Sequence, residues 1–230
     1  EDVAPMQAEW ESLRKRCRGS IFSSFDWAIE WLRHFDSIAR PRIIMVEEDG
    51  ELVGLAPFAL MEHRAMGIRM KKLSMIGNGA GVAELYDLGI MVQDGREDVI
   101  DAIVNAMGEM EWNVLHLNEL RNDDVNNALY QRVAERWDTD EVVQIPCPRT
   151  CLPQSGDVMD VVSSRTRRTI RKAMEMLERD NRISYRTVDL PDEVAEAAEL
   201  YALQHVERWN ERGGSIFSNE TLSRFLRDVM

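Results

Sequence analysis

A dense group of basic residues is the feature of this sequence best suited to binding an anion. Arg165, Arg168 and Lys172 are spaced to share one face of a predicted helix, and Arg167 and Arg171 form an i, i+4 pair on the adjoining face. Five cations within eight residues repel one another unless an anion or an acidic surface lies opposite. We therefore predict that Arg165, Arg168 and Lys172 bind a phosphate-bearing substrate, with pairing to an acidic surface of the protein as the alternative.

Aromatic and sulfur-containing residues give further candidates. Trp209 lies in a polar stretch and is a candidate for stacking on a sugar or a pantetheine arm, with core packing as the alternative. Trp27 and Trp31 have the helical spacing of core residues.

The four histidines are scattered and do not have the spacing of metal ligands. Cys147 and Cys151 form a close pair but lack the two further ligands of a structural zinc site, so we predict no metal site.

Composition and charge restrict the class of protein. The chain has 230 residues, 44% of them apolar and 30% charged, as folded domains do. No apolar run is long enough for a membrane span and the first residues are acidic, which predicts a cytoplasmic protein. The formal net charge of −13 disfavours general nucleic-acid binding. Residues 1–150 carry a net −11, whereas residues 163–186 carry a net +5, so the anion-attracting charge is local.

The elements that must position these residues follow from hydrophobic periodicity. Asp49-Gly50 between two β-rich runs predicts a hairpin. A mixed α/β class with an antiparallel front follows from the order of the elements. The predicted strands are 42–47, 52–60, 70–76, 85–92, 114–117, 141–145 and 183–188, and the predicted helices cover 25–35, 99–107, 125–137, a segment ending near 162, 164–180 and 191–212.

The sequence contains an internal repeat. The pentapeptide GSIFS occurs at 19–23 and again at 214–218, each time between a helix holding one tryptophan and an amphipathic helix. This predicts two copies of one α/β unit. We expect a first domain over 1–150, a linker with the basic helix over 151–180, and the beginning of a second domain over 181–230, which stops before the strands of the first copy recur.

Several stretches resemble one family of transferases. They are SIFSSFDWAIEWLRHF, PRIIMVEEDGELVGLAPFAL, KKLSMIGNGAGVAELYDLGI and, after LPQSGDVMDVVSS, RTRRTIRKAMEMLERDN. Together they resemble the tandem-GNAT acyltransferases of the CelD-like and BioF2-like type, which are relatives of the FemAB-type peptidoglycan aminoacyltransferases. The resemblance covers nearly the whole chain and implies a GNAT-like mixed sheet flanked by helices, followed by the start of a second GNAT-like unit.

The resemblance also implies an activity. It points to N-acyl transfer from acetyl-CoA or another acyl-CoA to an amine on a sugar or a cell-envelope precursor. The alternatives are FemAB-like transfer from aminoacyl-tRNA, which would use the basic helix against RNA, and a non-catalytic binding module of a polysaccharide-synthesis system.

The resemblance assigns further site residues. Glu84, Tyr86 and Asp87 lie in the segment that leads into the family's inter-domain cleft. Asp87 and Glu84 are the candidate catalytic carboxylates, since a carboxylate can orient or deprotonate an amine, and Tyr86 is a candidate for substrate binding. An exposed acidic loop is the alternative.

The phosphate-binding loops of the family are not matched well by the first unit. The nearest match, Arg64 to Arg69, is expected between two strands, and Gly77 to Gly81 also lacks a following helix. The junction 93–98 contains three carboxylates and one arginine, which would repel a pyrophosphate. We therefore expect this chain alone to lack the acyl-CoA site.

Overall fold

The computed structural model describes residues 4–65, 67–78, 87–140, 156–180 and 184–229. Two compact units are present, one of Glu1–Thr139 with Pro191–Met230 and one of Asp140–Leu190. In these ranges no helix combines the length and apolar character that a bilayer span requires. The division into 1–150, 151–180 and 181–230 rests on the repeat and stays a prediction.

The described residues form seven α-helices and five β-strands. The helices are α1 Ala4–Arg16, α2 Phe25–His34, α3 Glu97–Glu109, α4 Asp124–Arg136, α5 Ser164–Asp180, α6 Pro191–Trp209 and α7 Glu220–Asp228. The strands are β1 Ala39–Glu48, β2 Glu51–Ala65, β3 Ile68–Met75, β4 Met91–Val92 and β5 Val114–His116.

The sheet is mixed. β1 and β2 form the predicted antiparallel hairpin, in which Asp49 and Gly50 have φ of 51° and 79°. Two residues in the left-handed region give a turn whose twist matches that of the strands. β2 also pairs antiparallel with β3 and with the short β4, whereas β5 lies parallel to β3. The predicted α/β class is therefore confirmed.

Helices cover both faces of this sheet. Successive residues of a strand point to opposite faces, and β2 accordingly contributes Ala56 and Phe58 to one core and Leu55 and Ala59 to the other. The first core is closed by α3 and α4. The second is closed by α1, α2 and α7, with Phe225 of α7 fully buried. The last helix of the chain is thus part of the core of the larger unit.

Some predicted elements differ from the structure. Of the strand expected over 85–92, only Met91–Val92 is a strand in the described part, because Asp87 turns at a φ of 65° and Leu88 makes a single bridge to Leu120. Residues 184–188 form no strand, and the helix expected before 162 is one 3-10 turn, Val158–Asp160. The strand expected over 141–145 lies outside the described residues.

The two copies of the repeat have the same local structure. A 3-10 turn, Ile21–Ser23 or Ile216–Ser218, leads into α2 or α7. The N-cap side chain of Ser24 accepts from Trp27 N–H, and Asn219 at the equivalent position accepts from Leu222 N–H. Phe217 is buried, whereas Phe22 at the equivalent position is half-buried against the edge of Trp27.

Candidate substrate-binding site

The basic helix α5 forms over the residues predicted for it. Its first turn is capped by Ser163, whose Oγ accepts the Thr166 N–H at 3.2 Å and lies 2.9 Å from the Thr166 hydroxyl. Capping satisfies amides that the first turn of a helix leaves without partners. The cap therefore fixes where the helix begins.

An open groove of about 440 Å³ runs along this face. Two of the three predicted phosphate ligands, Arg168 and Lys172, line it, whereas Arg165 is exposed on the helix outside the lining. The complete lining is Ser164, Arg167, Arg168, Arg171, Lys172 and Glu175. The groove therefore also includes the i, i+4 arginine pair predicted on the adjoining face, Arg167 and Arg171, together with the carboxylate of Glu175.

The charges of this groove are poorly compensated within their own unit. Over the described part of 140–190, no carboxylate pairs with Arg168, Arg171 or Lys172. Arg167 is held in place by a bond from its Nη2 to the Val162 carbonyl at 3.4 Å, and its Nε is buried without an acceptor among the described residues. Guanidinium groups arranged in this way can bind a phosphate through several charge-assisted hydrogen bonds.

The candidate carboxylate segment is described only at its end. Glu84 and Tyr86 lie outside the described residues. Asp87 is half-buried with a φ of 65°, and its carbonyl accepts the Ser20 hydroxyl at 3.1 Å. The catalytic roles of Asp87 and Glu84 and the binding role of Tyr86 remain predictions.

Trp209 ends α6 and is 37% exposed. One helical turn earlier, the His205 ring stacks with it at 5.9 Å between centroids and 25° between planes. His205 Nδ1 lies 2.8 Å from Ser215 Oγ, so the imidazole is fixed by the loop that precedes α7. Trp209 thus has a positioned ring with substantial exposure, as stacking on a ligand requires.

The other tryptophans considered from the sequence are packed. Trp31 is buried and stacks on Phe35 at 4.9 Å. Trp27 makes edge contacts with Phe22 at 4.9 Å and Phe225 at 5.1 Å. The interpretation of Trp31 as a core residue is confirmed.

The junction before α3 is occupied by its own ion pairs. Arg96 binds Asp98 at 2.7 Å and Glu48 at 2.8 Å, and Arg132 of α4 binds Glu97 at 2.8 Å. The hydrogen bond from Arg96 holds the pKa of the Asp98 carboxyl below its ordinary value. The positive end of α3 therefore carries ionised carboxylates where an anion would otherwise bind.

The other loop considered for phosphate joins two strands. Arg64 of β2 and Arg69 of β3 are antiparallel partners, so no helix N-terminus follows this loop. Of the glycine-rich segment 77–81, only Gly77 and Asn78 are described, and Asn78 is buried with its Nδ2 bonded to the Asn118 carbonyl.

Comparison with known proteins finds a family model that matches part of the chain and a solved structure similar in fold to most of it. Residues 164–230 match the family model of an acetyltransferase (GNAT) domain. The crystal structure of FemX superposes with a TM-score of 0.60 at 13% identity, covering 95% of this chain and 53% of FemX. The chain is thus similar in fold to part of FemX and spans about half the length of FemX. No curated protein matches the chain significantly.

Proposed function

We propose that this protein is a GNAT-type N-acyltransferase that moves an acyl group from acyl-CoA to an amine on a sugar or a cell-envelope precursor. The observation that carries the proposal is the match of residues 164–230 to an acetyltransferase (GNAT) domain, which begins at the first residue of α5. The mixed sheet covered by helices on both faces and the fold likeness to FemX support a transferase of this general type.

The chemistry is direct transfer. The neutral amine attacks the thioester carbon, a C–N bond forms as the C–S bond breaks, and the thiol of CoA leaves with the proton that the nitrogen loses. Such a reaction depends mainly on bringing amine and thioester together in the right orientation. The protein must therefore hold two substrates, at least one of which carries phosphate.

We assign the phosphate of the acceptor to the groove of α5. Arg168, Arg171 and Lys172 form no ion pair with a carboxylate in the described part of their unit, and Glu175 is the one carboxylate in the groove lining. Within the larger unit, Trp209, which is exposed and backed by His205, is a proposed stacking residue for a sugar. Asp87 and Glu84 are the proposed groups that orient or deprotonate the amine.

The donor is proposed to bind away from the N-terminal sheet. Acyl-CoA needs free amides and positive charge for its pyrophosphate, but Glu97 and Asp98 occupy the first turn of α3 and Arg96 is committed to Asp98 and Glu48. This favours a donor site built by the domain to which residues 164–230 belong.

Two alternatives remain distinguishable. The likeness to FemX favours FemAB-like transfer from aminoacyl-tRNA, in which the basic groove would contact RNA phosphate. The second is a non-catalytic binding module of a polysaccharide-synthesis system, which would bind its ligand without turnover.

Calorimetric titration with UDP, used as a phosphate-bearing probe, tests whether the groove of α5 binds phosphate. At low salt, Arg168→Glu should weaken UDP binding about tenfold or more, because a charge-assisted contact becomes a repulsion. Arg69→Glu, at an exposed position of β3, is the charge-matched control and should bind like the wild type. Equal affinity for the two variants would reject the groove as a phosphate site.

A further inference from the structure

Three potential metal ligands meet where α2 packs against α7. Glu30 and His34 lie one helical turn apart on α2, and Asp228 is the last residue of α7. His34 Nε2 is 2.7 Å from Asp228 Oδ2, and one ligand atom of each residue lies within 4.8 Å of the other two. The three side chains are 25%, 16% and 56% exposed respectively, so the site is open to solvent on the side of Asp228.

We propose that Glu30, His34 and Asp228 bind a divalent transition-metal ion such as Zn²⁺. One imidazole and two carboxylates are a donor set that this class of ion accepts. Bonds of about 2.1 Å in tetrahedral geometry place neighbouring ligand atoms about 3.4 Å apart. His34 Nε2 and Asp228 Oδ2 are 2.7 Å apart and the three ligand atoms all lie within 4.8 Å of one another, so side-chain rotations must bring these separations to that value.

The adjoining cavity supports the proposal independently of the ligand spacing. It has a volume of about 390 Å³ and is lined by Glu30, Asp228 and Trp27, among others. A three-ligand metal keeps an open position for water, and this cavity has room for that water.

The charge around the cluster also favours a cation. Glu11 and Asp26 line the same cavity, with Arg14 bonded to Glu11 at 2.7 Å. Glu30 is paired with Arg33, whose side chain is 67% exposed and therefore free to turn into solvent when a metal takes its place. A bound ion would fasten α7 to α2, the equivalent helices of the two repeat copies, and is not required by the proposed acyl transfer.

Metal titration tests this site. Because Cys147 and Cys151 could bind zinc themselves, the protein carries Ser at both positions and has no affinity tag. Calorimetry with Zn²⁺ should show one equivalent bound, and Co²⁺ should give the visible absorption of a bound ion. At a free Zn²⁺ concentration about 100 times the dissociation constant, zinc should raise the Tm of the protein by about 5–10 °C.

Variants distinguish this cluster from adventitious binding. His34→Ala and Asp228→Asn should each weaken Zn²⁺ binding at least about tenfold, whereas Asp26→Asn, a carboxylate of the same cavity outside the cluster, should leave binding unchanged. Asp228 is exposed enough for its variant to keep the fold, which circular dichroism would verify. Absence of saturable binding, or equal binding by Asp228→Asn and Asp26→Asn, would overturn the proposal.

Discussion

Gly54 of β2 packs tightly against Val99 of α3, and adding a single methyl group at Gly54 tests the packing of the sheet. A Cβ at this position would lie 2.3 Å from Val99 Cγ1 and 3.4 Å from Val46 Cβ. Carbon atoms in contact are normally about 3.5–4.0 Å apart, so Val99 must move by more than an ångström. Val99 has little rotamer freedom in a helix, and the strain in Gly54→Ala should therefore cost about 1–3 kcal/mol of unfolding free energy.

A second substitution should relieve this strain. Val99 is buried, and Val99→Ala alone should cost about 2 kcal/mol because two apolar methyl groups are lost and a cavity remains. In the double variant the new methyl of residue 54 occupies that space. We expect its total cost to fall below the sum of the single costs by about 1–2 kcal/mol.

Urea denaturation measures these energies. A loss of about 2 kcal/mol lowers the midpoint by about 1 M for an m-value near 2 kcal/mol/M. Val104→Ala is the matched control, since Val104 is also buried on α3 but is not among the atoms near Gly54; its cost should add to that of Gly54→Ala. A cost below about 0.5 kcal/mol for Gly54→Ala, or simple additivity with Val99→Ala, would refute the reasoning.

Three further outcomes are expected. Phe225 is fully buried against α2, so Phe225→Ala should lower the free energy of unfolding by about 3–5 kcal/mol or release α7, which would be seen as faster hydrogen exchange over 216–229. The exposed control Arg224→Ala should change little. Equal exchange in the two variants would contradict the docking of α7. Burial raises the pKa of the Cys17 thiol from 9.0 to about 11, so alkylation of Cys17 at pH 8, followed by peptide mapping, should be about 100-fold slower than that of an ordinary thiol. Because the unfolded chain loses this proton first, the free energy of unfolding should fall as the pH rises from about 9 to about 11. Rapid alkylation of Cys17 would contradict this prediction. Calorimetric titration of the 230-residue chain with acetyl-CoA should show no saturable heat, and micromolar binding would contradict the expectation that this chain alone lacks the acyl-CoA site.

The local elements could be predicted because their signals are local. Asp49-Gly50 specifies a hairpin by its tolerance of positive φ, and the stripe over 99–107 specifies α3 by its period. The basic face of α5 followed from spacing alone, but its groove also takes in Arg167, Arg171 and Glu175, because side chains across more than a third of the helix circumference can reach one depression.

Features that depend on distant residues could not be predicted. The parallel pairing of β5 with β3 and the packing of α7 on α2 are set by tertiary contacts. His34 and Asp228, 194 residues apart, have no spacing that a sequence pattern would reveal. In the described part of 85–92, the strand is shorter than expected and covers only Met91–Val92. The turn at Asp87 and the non-local pairing of this segment outweigh the strand preference of its β-rich composition.

Acyl transfer itself is the most direct test of the proposed function. The protein as its gene encodes it would be incubated with acetyl-CoA and amino-sugar acceptors, with and without a phosphate group, and acetylated product and free CoA thiol would be measured. We predict equal amounts of both, preference for the phosphorylated acceptor, and a kcat/KM at least about tenfold lower in Arg168→Glu than in Arg69→Glu. Transfer from aminoacyl-tRNA but not from acetyl-CoA, or equal activity of the two variants, would contradict the account.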